Sequence, residues 1–191
     1  MEPKHFDLVT IFFSDIVGLE DISASLPPTK ISDMLGRLYS TFDDMLATFD
    51  VFKVETIGDA YMAVANLAKD QTEDHVKRIA DFSVAAIQAA NSTLIDVDDS
   101  ERGCVNIRVG FHSGSVVASV VGTRNPRYCL FGHTVNVSSR MENSAEVNRI
   151  QCSRASAELL RQQHPDMPIT ERGLITVKGK GEVATFWVNE D

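Results

Sequence analysis

Two aspartates offer the most chemistry in this chain. One lies in Phe12-Phe13-Ser14-Asp15-Ile16-Val17-Gly18, the other in Val54-Glu55-Thr56-Ile57-Gly58-Asp59-Ala60-Tyr61. A carboxylate at the end of an apolar strand, beside glycine, can hold a hard divalent cation over a phosphate. Two of them can hold two ions about 3.5–4 Å apart and flank an in-line phosphoryl displacement. Asp is also common in plain surface turns, so the pair takes its meaning from residues elsewhere. Asn136 and Arg140 lie four residues apart in a helical stretch and share a face. Arg108 stands among Val and Ile, where a charge is costly unless paired. Lys178 lies in Val-Lys-Gly-Lys-Gly, where glycine lets the backbone close tightly and aim an amine at phosphate. The ordinary alternatives are a structural salt bridge for Arg108, a helix cap for Arg140 and a simple Gly-Lys hairpin for Lys178.

Composition narrows the field. The chain has 191 residues, 43% of them hydrophobic, which suits one domain over 1–191 with a core from about 6 to 188. The net charge of −9 and the lack of a basic run exclude an electrostatic clamp on polymeric nucleic acid. A small anionic substrate is still compatible, because cations and a few local bases overcome the net charge. The three cysteines, Cys104, Cys129 and Cys152, are odd in number and widely spaced, so they support neither a disulfide framework nor a zinc site. A reducing, cytoplasmic setting is expected. No stretch is apolar and long enough to span a bilayer, and the chain opens almost directly on a strand, as an excised piece of a larger protein would. No GxxxxGK[ST] loop exists, so a P-loop enzyme is not supported.

The residues that position this chemistry follow from periodicity. Phe6 to Ile16 reads as a buried strand. Pro27-Pro28-Thr29 opens a helix with Leu35, Leu38, Phe42, Met45, Leu46 and Phe49 at helical spacing. Val51 to Ala65 reads as two strands joined at Gly58-Asp59. Asp70 to Thr72 caps a helix running to about Asn91, with Val76, Ile79, Ala80, Phe82, Ser83, Ala86 and Ile87 inward. Asp96 to Gly103 is a polar loop. Val105 to His112 and Val116 to Val121 are expected as two strands of a hairpin turning at Ser113-Gly114. Asn125-Pro126 marks a loop. Thr134 to Ser144 is a helix with Val135, Ser138 and Met141 on one face. A short strand from Ile150 to Cys152, a helix from Ser156 to about Gln163, and a hairpin from Leu174 to Val188 around Lys178-Gly179-Lys180-Gly181 complete the chain. The opening order of strand, helix, strand, strand, helix, strand is the ferredoxin-like pattern, an α+β fold with C-terminal additions.

With these residues in place, the chain resembles the class III nucleotidyl cyclases from about Phe6 to Val188. The resemblance rests on FFSDIVG (12–18), KVETIGDAYM (53–62), IRVGFHSG (107–114), CLFGHTVNVSSRME (129–142) and VKGKG (177–181), in the family's order. It implies attack of a ribose 3′-hydroxyl on the α-phosphate, release of pyrophosphate, and a two-fold dimer whose sites draw on both subunits. Asp15, Asp59 and the main-chain carbonyl of Ile16 match the family's holders of two ions, Mg²⁺ or Mn²⁺. Asn136 matches the ribose-orienting residue, and Arg140 the residue that stabilises charge at the α-phosphate. Arg108 and Lys178 match contacts to the terminal phosphates and the leaving pyrophosphate.

Glu55 and Cys129 match the positions that read the purine. A carboxylate accepts from both guanine donors, and a thiol donates weakly to O6. The resemblance therefore points to the guanylyl type, with GTP as substrate and a homodimer, or a heterodimer in a longer protein, as the active unit. Arg127 is expected to steady the Glu55 charge. The pattern assigns Glu55 and Asp59, four residues apart, to opposite sites of one dimer. Three positions depart from it: Leu19-Glu20 after Gly18, His133 between Gly132 and Thr134, and Ser138-Ser139. The alternatives that stay open are an adenylyl cyclase, a non-catalytic dimerisation module, and a ferredoxin-like RNA binder, the last opposed by the charge and by the lack of an aromatic strand motif.

Overall fold

Runs of β-branched and aromatic residues build a mixed sheet that carries the whole molecule. The computed structural model describes residues 2–56 and 58–191. In chain order its elements are β1 (Lys4–Ile16), α1 (Leu19–Ser25), α2 (Pro28–Phe49), β2 (Phe52–Val54), β3 (Tyr61–Ala65), α3 (His75–Asn91), β4 (Ile107–Val121), β5 (Arg127–Phe131), α4 (His133–Asn143), β6 (Ile150–Ser153), α5 (Arg154–Gln163), β7 (Ile169–Val177) and β8 (Gly181–Val188). The sheet order is β2-β3-β1-β4-β6-β8-β7, with β5 paired to β4 outside that path. Within it, β2-β3-β1-β4 is the expected ferredoxin-like core, antiparallel at every step. β6 then joins β4 in parallel and begins the C-terminal extension.

Alternation along the strands sorts side chains to two faces. Phe12, Ile107, Val109 and Phe111 pack with Leu38, Phe42, Ile79, Phe82 and Leu160 of the helices into the main core. Val9, Ile11 and Phe13 point the other way and form a second cluster with Met62, Val64, Val116 and Leu130. Helix α4 lies on this second side, where Asp15 and Arg108 also point. Buried polar groups of the main core join in a chain: His75 Nδ1 meets Thr10 Oγ1 at 2.6 Å, and Thr10, Ser113 and Ser156 continue it through their hydroxyls at 2.8 Å per step.

The hairpin expected between Val105 and Val121 is not there. β4 runs unbroken from Ile107 to Val121. Its glycines serve a different purpose from turning the chain. A Cβ at Gly110 would stand 2.1 Å from the backbone nitrogen of Glu142, and one at Gly114 would stand 2.4 Å from Thr134 Oγ1. Both residues lie on the α4 side of the strand, so their missing side chains let the helix backbone lie directly on the sheet. β5 occupies residues that follow the Asn125-Pro126 loop and carry no expected element, α1 is a short helix after Gly18, and β7 begins at Ile169 rather than Leu174. The buried stripe of α4 is Thr134, Val137, Ser138, Met141 and Glu142, whereas Val135 is half-buried against the second cluster.

Candidate active site

Strand register brings the acidic residues together. Ser14 on β1 pairs with Tyr61 on β3, so Asp15 and the connection carrying Asp59 meet at the same end of the ladder. Across the other edge of β1, Asp15 pairs directly with Arg108 of β4 and Ile16 with Ile107. Asp15 Oδ1 and Arg108 Nη1 are 3.8 Å apart, with both side chains about one third exposed, too long for a strong hydrogen bond. Tyr39 of α2 donates a 2.5 Å hydrogen bond to the Asp59 carbonyl. Thr56 closes the same connection by donating to the Ala60 carbonyl at 2.7 Å.

A residue that sequence reasoning left without a role sits beneath this pole. Glu142, the last residue of CLFGHTVNVSSRME, is buried in the α4 stripe with its carboxyl beside Asp15. Burial, reinforced by the Asp15 charge, pushes Glu142 up to about 9. Burial also raises Asp15, against the pull of a hydrogen bond from Glu142 and of the Arg108 charge. Asp15 Oδ1 is buried with no hydrogen-bond partner among the described residues, and Glu142 can donate to the Asp15 carboxyl only while it keeps its proton. The signal for Glu142 was present in the sequence: an acid one residue after the buried Met141, on the apolar stripe of a helix, needs a reason to be there.

The arrangement suits a cation. A buried carboxylate oxygen with no fixed donor, a second aspartate at the same strand end and a neutral acid behind them form an all-oxygen donor set. Among the described residues no group of three His, Cys, Asp or Glu side chains is arranged to hold an ion unaided. Asp15, Asp59 and the Ile16 carbonyl therefore fit an ion that completes its shell with water and phosphate oxygens.

The other candidate residues form a separate group. Asn136 and Arg140 stand on the exposed face of α4, opposite its buried stripe. Lys178 is exposed at the β7–β8 connection. The neighbouring Gly179 has φ +84°, and a Cβ built there would lie 3.6 Å from His133 Cε1, so this tip rests against the start of α4. Glu55 is exposed just after β2, and the half-buried Cys129 sits on β5 opposite Ser119. Arg127 does not reach Glu55 but donates to the Thr56 carbonyl at 3.3 Å, tying β5 to the connection that begins with Glu55. Among the described residues, no hydrogen bond or ion pair joins Asn136, Arg140, Lys178, Glu55 or Cys129 to Asp15 or Asp59. Gly18, with φ 72°, opens α1, and Glu20 stands in its first turn.

This fold and this acidic pole belong to a family of nucleotide-cyclising domains: the chain is a member of the family described as the adenylate and guanylate cyclase catalytic domain, which matches residues 1–190. Retinal guanylyl cyclase 2 of Bos taurus is 44% identical over 188 residues, which is 98% of this chain and 17% of that protein. The chain thus spans about a sixth of the length of such relatives. The guanylate cyclase domain of RhGC from Catenaria anguillulae, crystallised in complex with GTP, superposes with a TM-score of 0.87 at 34% identity over 97% of both chains. The catalytic core of a rhodopsin-guanylyl cyclase with converted specificity, in complex with ATPαS, gives a TM-score of 0.89 at 32% identity over the full length of both. Among the described residues no helix is long and apolar enough to cross a membrane.

Proposed function

We propose that this chain is a guanylate cyclase catalytic domain, forming 3′,5′-cyclic GMP and pyrophosphate from GTP at sites shared across a homodimer. The observation that carries this reading is the acidic pole at the end of β1, where Asp15 keeps a buried oxygen without a fixed donor next to the Asp59 connection. Asp15, Asp59 and the Ile16 carbonyl hold two Mg²⁺ or Mn²⁺ ions from one protomer. When bound, these ions supply acidification of the 3′-hydroxyl and charge neutralisation along the triphosphate. The 3′-oxygen loses its proton and bonds to the α-phosphorus, and the bond from that phosphorus to the bridging oxygen breaks as pyrophosphate leaves.

The partner protomer supplies the exposed group. Asn136 orients the ribose. Arg140 presents a planar guanidinium to charge developing at the α-phosphate. Lys178 holds the leaving pyrophosphate, while Arg108, beside Asp15 on the protomer that supplies the aspartates, holds the terminal phosphates. Glu55 accepts from the guanine N1 and N2 donors while Cys129 faces O6. The bond from Arg127 to Thr56 supports this purine reading, because it brings the strand of Cys129 to the connection of Glu55. The relatives named above as guanylyl cyclases support the same choice. The separation of the exposed group from the acidic pole, with no direct bond between them, supports division of each site between two subunits. Use of GTP and the unpaired thiols Cys104, Cys129 and Cys152 favour a cytosolic setting.

The test is a side-by-side assay of GTP and ATP with Mn²⁺ and with Mg²⁺. The expected product is cyclic GMP, with ATP turned over far more slowly. A preference for ATP would make the chain an adenylyl cyclase, and no product from either would make it a dimerisation module.

A further inference from the structure

We propose that the Tyr39 hydroxyl is a positioning group that fixes the Asp59 peptide so that its carboxylate is presented beside Asp15. This rests on the cation-holding role proposed above for the two aspartates. Strand pairing between β2 and β3 ends at Val54 and Met62, so the Asp59 backbone has no ladder partner. It is held instead by the hydroxyl of Tyr39 on α2, at 2.5 Å from its carbonyl. That donor stands on a firm platform. The Tyr39 ring is tilted against Tyr61 and Phe42, with centroids at 5.3 and 5.8 Å. Tyr61 is in turn tied to Asp43 by a 2.7 Å hydrogen bond.

A phenol is neutral near pH 7, so the Tyr39 hydroxyl has a proton to donate, and its bond to the Asp59 carbonyl sets it at the acidic pole. With its carbonyl engaged by the phenol, Asp59 is left with its carboxylate as the group it offers to a cation. The Thr56 bond to Ala60 closes the connection but does not touch Asp59. Tyr39 therefore acts through Asp59 and reaches neither substrate nor cation itself.

The experiment compares the full chain with Tyr39→Phe, which keeps the ring and its packing. Mn²⁺ binding is titrated by electron paramagnetic resonance of the free ion, with a GTP analogue carrying a methylene in place of the α,β-bridging oxygen. Loss of one hydrogen bond at the pole should weaken Mn²⁺ binding about fivefold. The Mn²⁺ concentration for half-maximal cyclisation should rise alike, while kcat at saturating Mn²⁺ stays within about twofold and the melting temperature without metal is unchanged. Thr56→Val should alter Mn²⁺ binding far less. Unchanged Mn²⁺ affinity in Tyr39→Phe would overturn the proposal, as would an equal effect of Thr56→Val, or a lowered melting temperature with kcat reduced at saturating Mn²⁺. If the parent chain bound no Mn²⁺ at all, the cation-holding role of Asp15 and Asp59 would fall first, a result visible before any variant is compared.

Discussion

Asp15 carries one charge for which two neighbours compete, the Glu142 proton and the Arg108 guanidinium. Because burial raises Glu142 from its ordinary 4.5 to about 9, its protonated form contributes stability that is complete below the ordinary value and is lost as pH climbs through about 9. Glu142→Gln stays neutral at every pH and still donates. In thermal melts without divalent cation, the parent should lose more stability than Glu142→Gln between about pH 7 and about pH 10. Parallel curves would place the Glu142 proton elsewhere. Arg140 is exposed and unpaired by any acid among the described residues, so Arg140→Ala should leave the melting temperature unchanged. Its loss should show in kcat, by roughly 10²–10³-fold, with the KM for GTP little altered. At the purine pocket, Glu55→Lys with Cys129→Asp should move the ratio of kcat/KM from GTP toward ATP, because a carboxylate facing the adenine N1 lone pair is replaced by a donor. An unaltered GTP preference would take purine recognition away from these two residues.

Helix α4, which carries Asn136 and Arg140, packs on strand β4, which carries Arg108, and two glycines govern their contact. At Gly110 the obstacle to a side chain is the helix backbone itself, at 2.1 Å. At Gly114 it is the Thr134 hydroxyl, which can rotate. Gly110→Ala should therefore cost about 3 kcal/mol or more and Gly114→Ala about 1–2 kcal/mol, measured by denaturant unfolding. The reverse order would mean that the helix slides freely on the sheet. These glycines also mark where sequence reading succeeded and failed. The ferredoxin-like order was legible because Phe6 to Ile16, the two long amphipathic helices and the Val51 to Ala65 pair each follow one clear period. The Ser113-Gly114 turn was misread because a glycine in a strand signals either a turn or a close approach, and only the helix above it decides which. β5 was missed because Arg127 to Phe131 is short and pairs with the far half of β4, a non-local partner that no local pattern announces. Motif and spacing single out Asp15, Asp59, Asn136 and Arg140 as candidates. They give no sign of Tyr39, whose hydroxyl bonds a backbone carbonyl 20 residues away, and Glu142 shows only as an acid on an apolar helix stripe, which a reading of helical period alone passes over.

As a whole, the protomer is asymmetric: α2, α3 and α5 cover one face of the sheet, while the second apolar cluster is shielded by α4 near one end and edged by exposed Phe52 (40%), whose ring meets that of Tyr128. On the proposed reading a second copy would cover this apolar edge, and exposed Asn136, Arg140 and Lys178 would reach the nucleotide that copy holds. If the dimer is the active unit, specific activity should rise with protein concentration at low concentration and then level off; constant specific activity down to concentrations where only monomer is present would oppose it. The shared site itself is tested most directly by mixing two inactive variants, Asp15→Ala and Arg140→Ala. Random pairing in equal amounts makes half the dimers mixed, and each mixed dimer keeps one site with both aspartates from one subunit and Arg140 from the other. The mixture should regain about a quarter of the parent activity. If mixed dimers are present by native mass spectrometry and the mixture remains inactive, each protomer does not complete its neighbour's site.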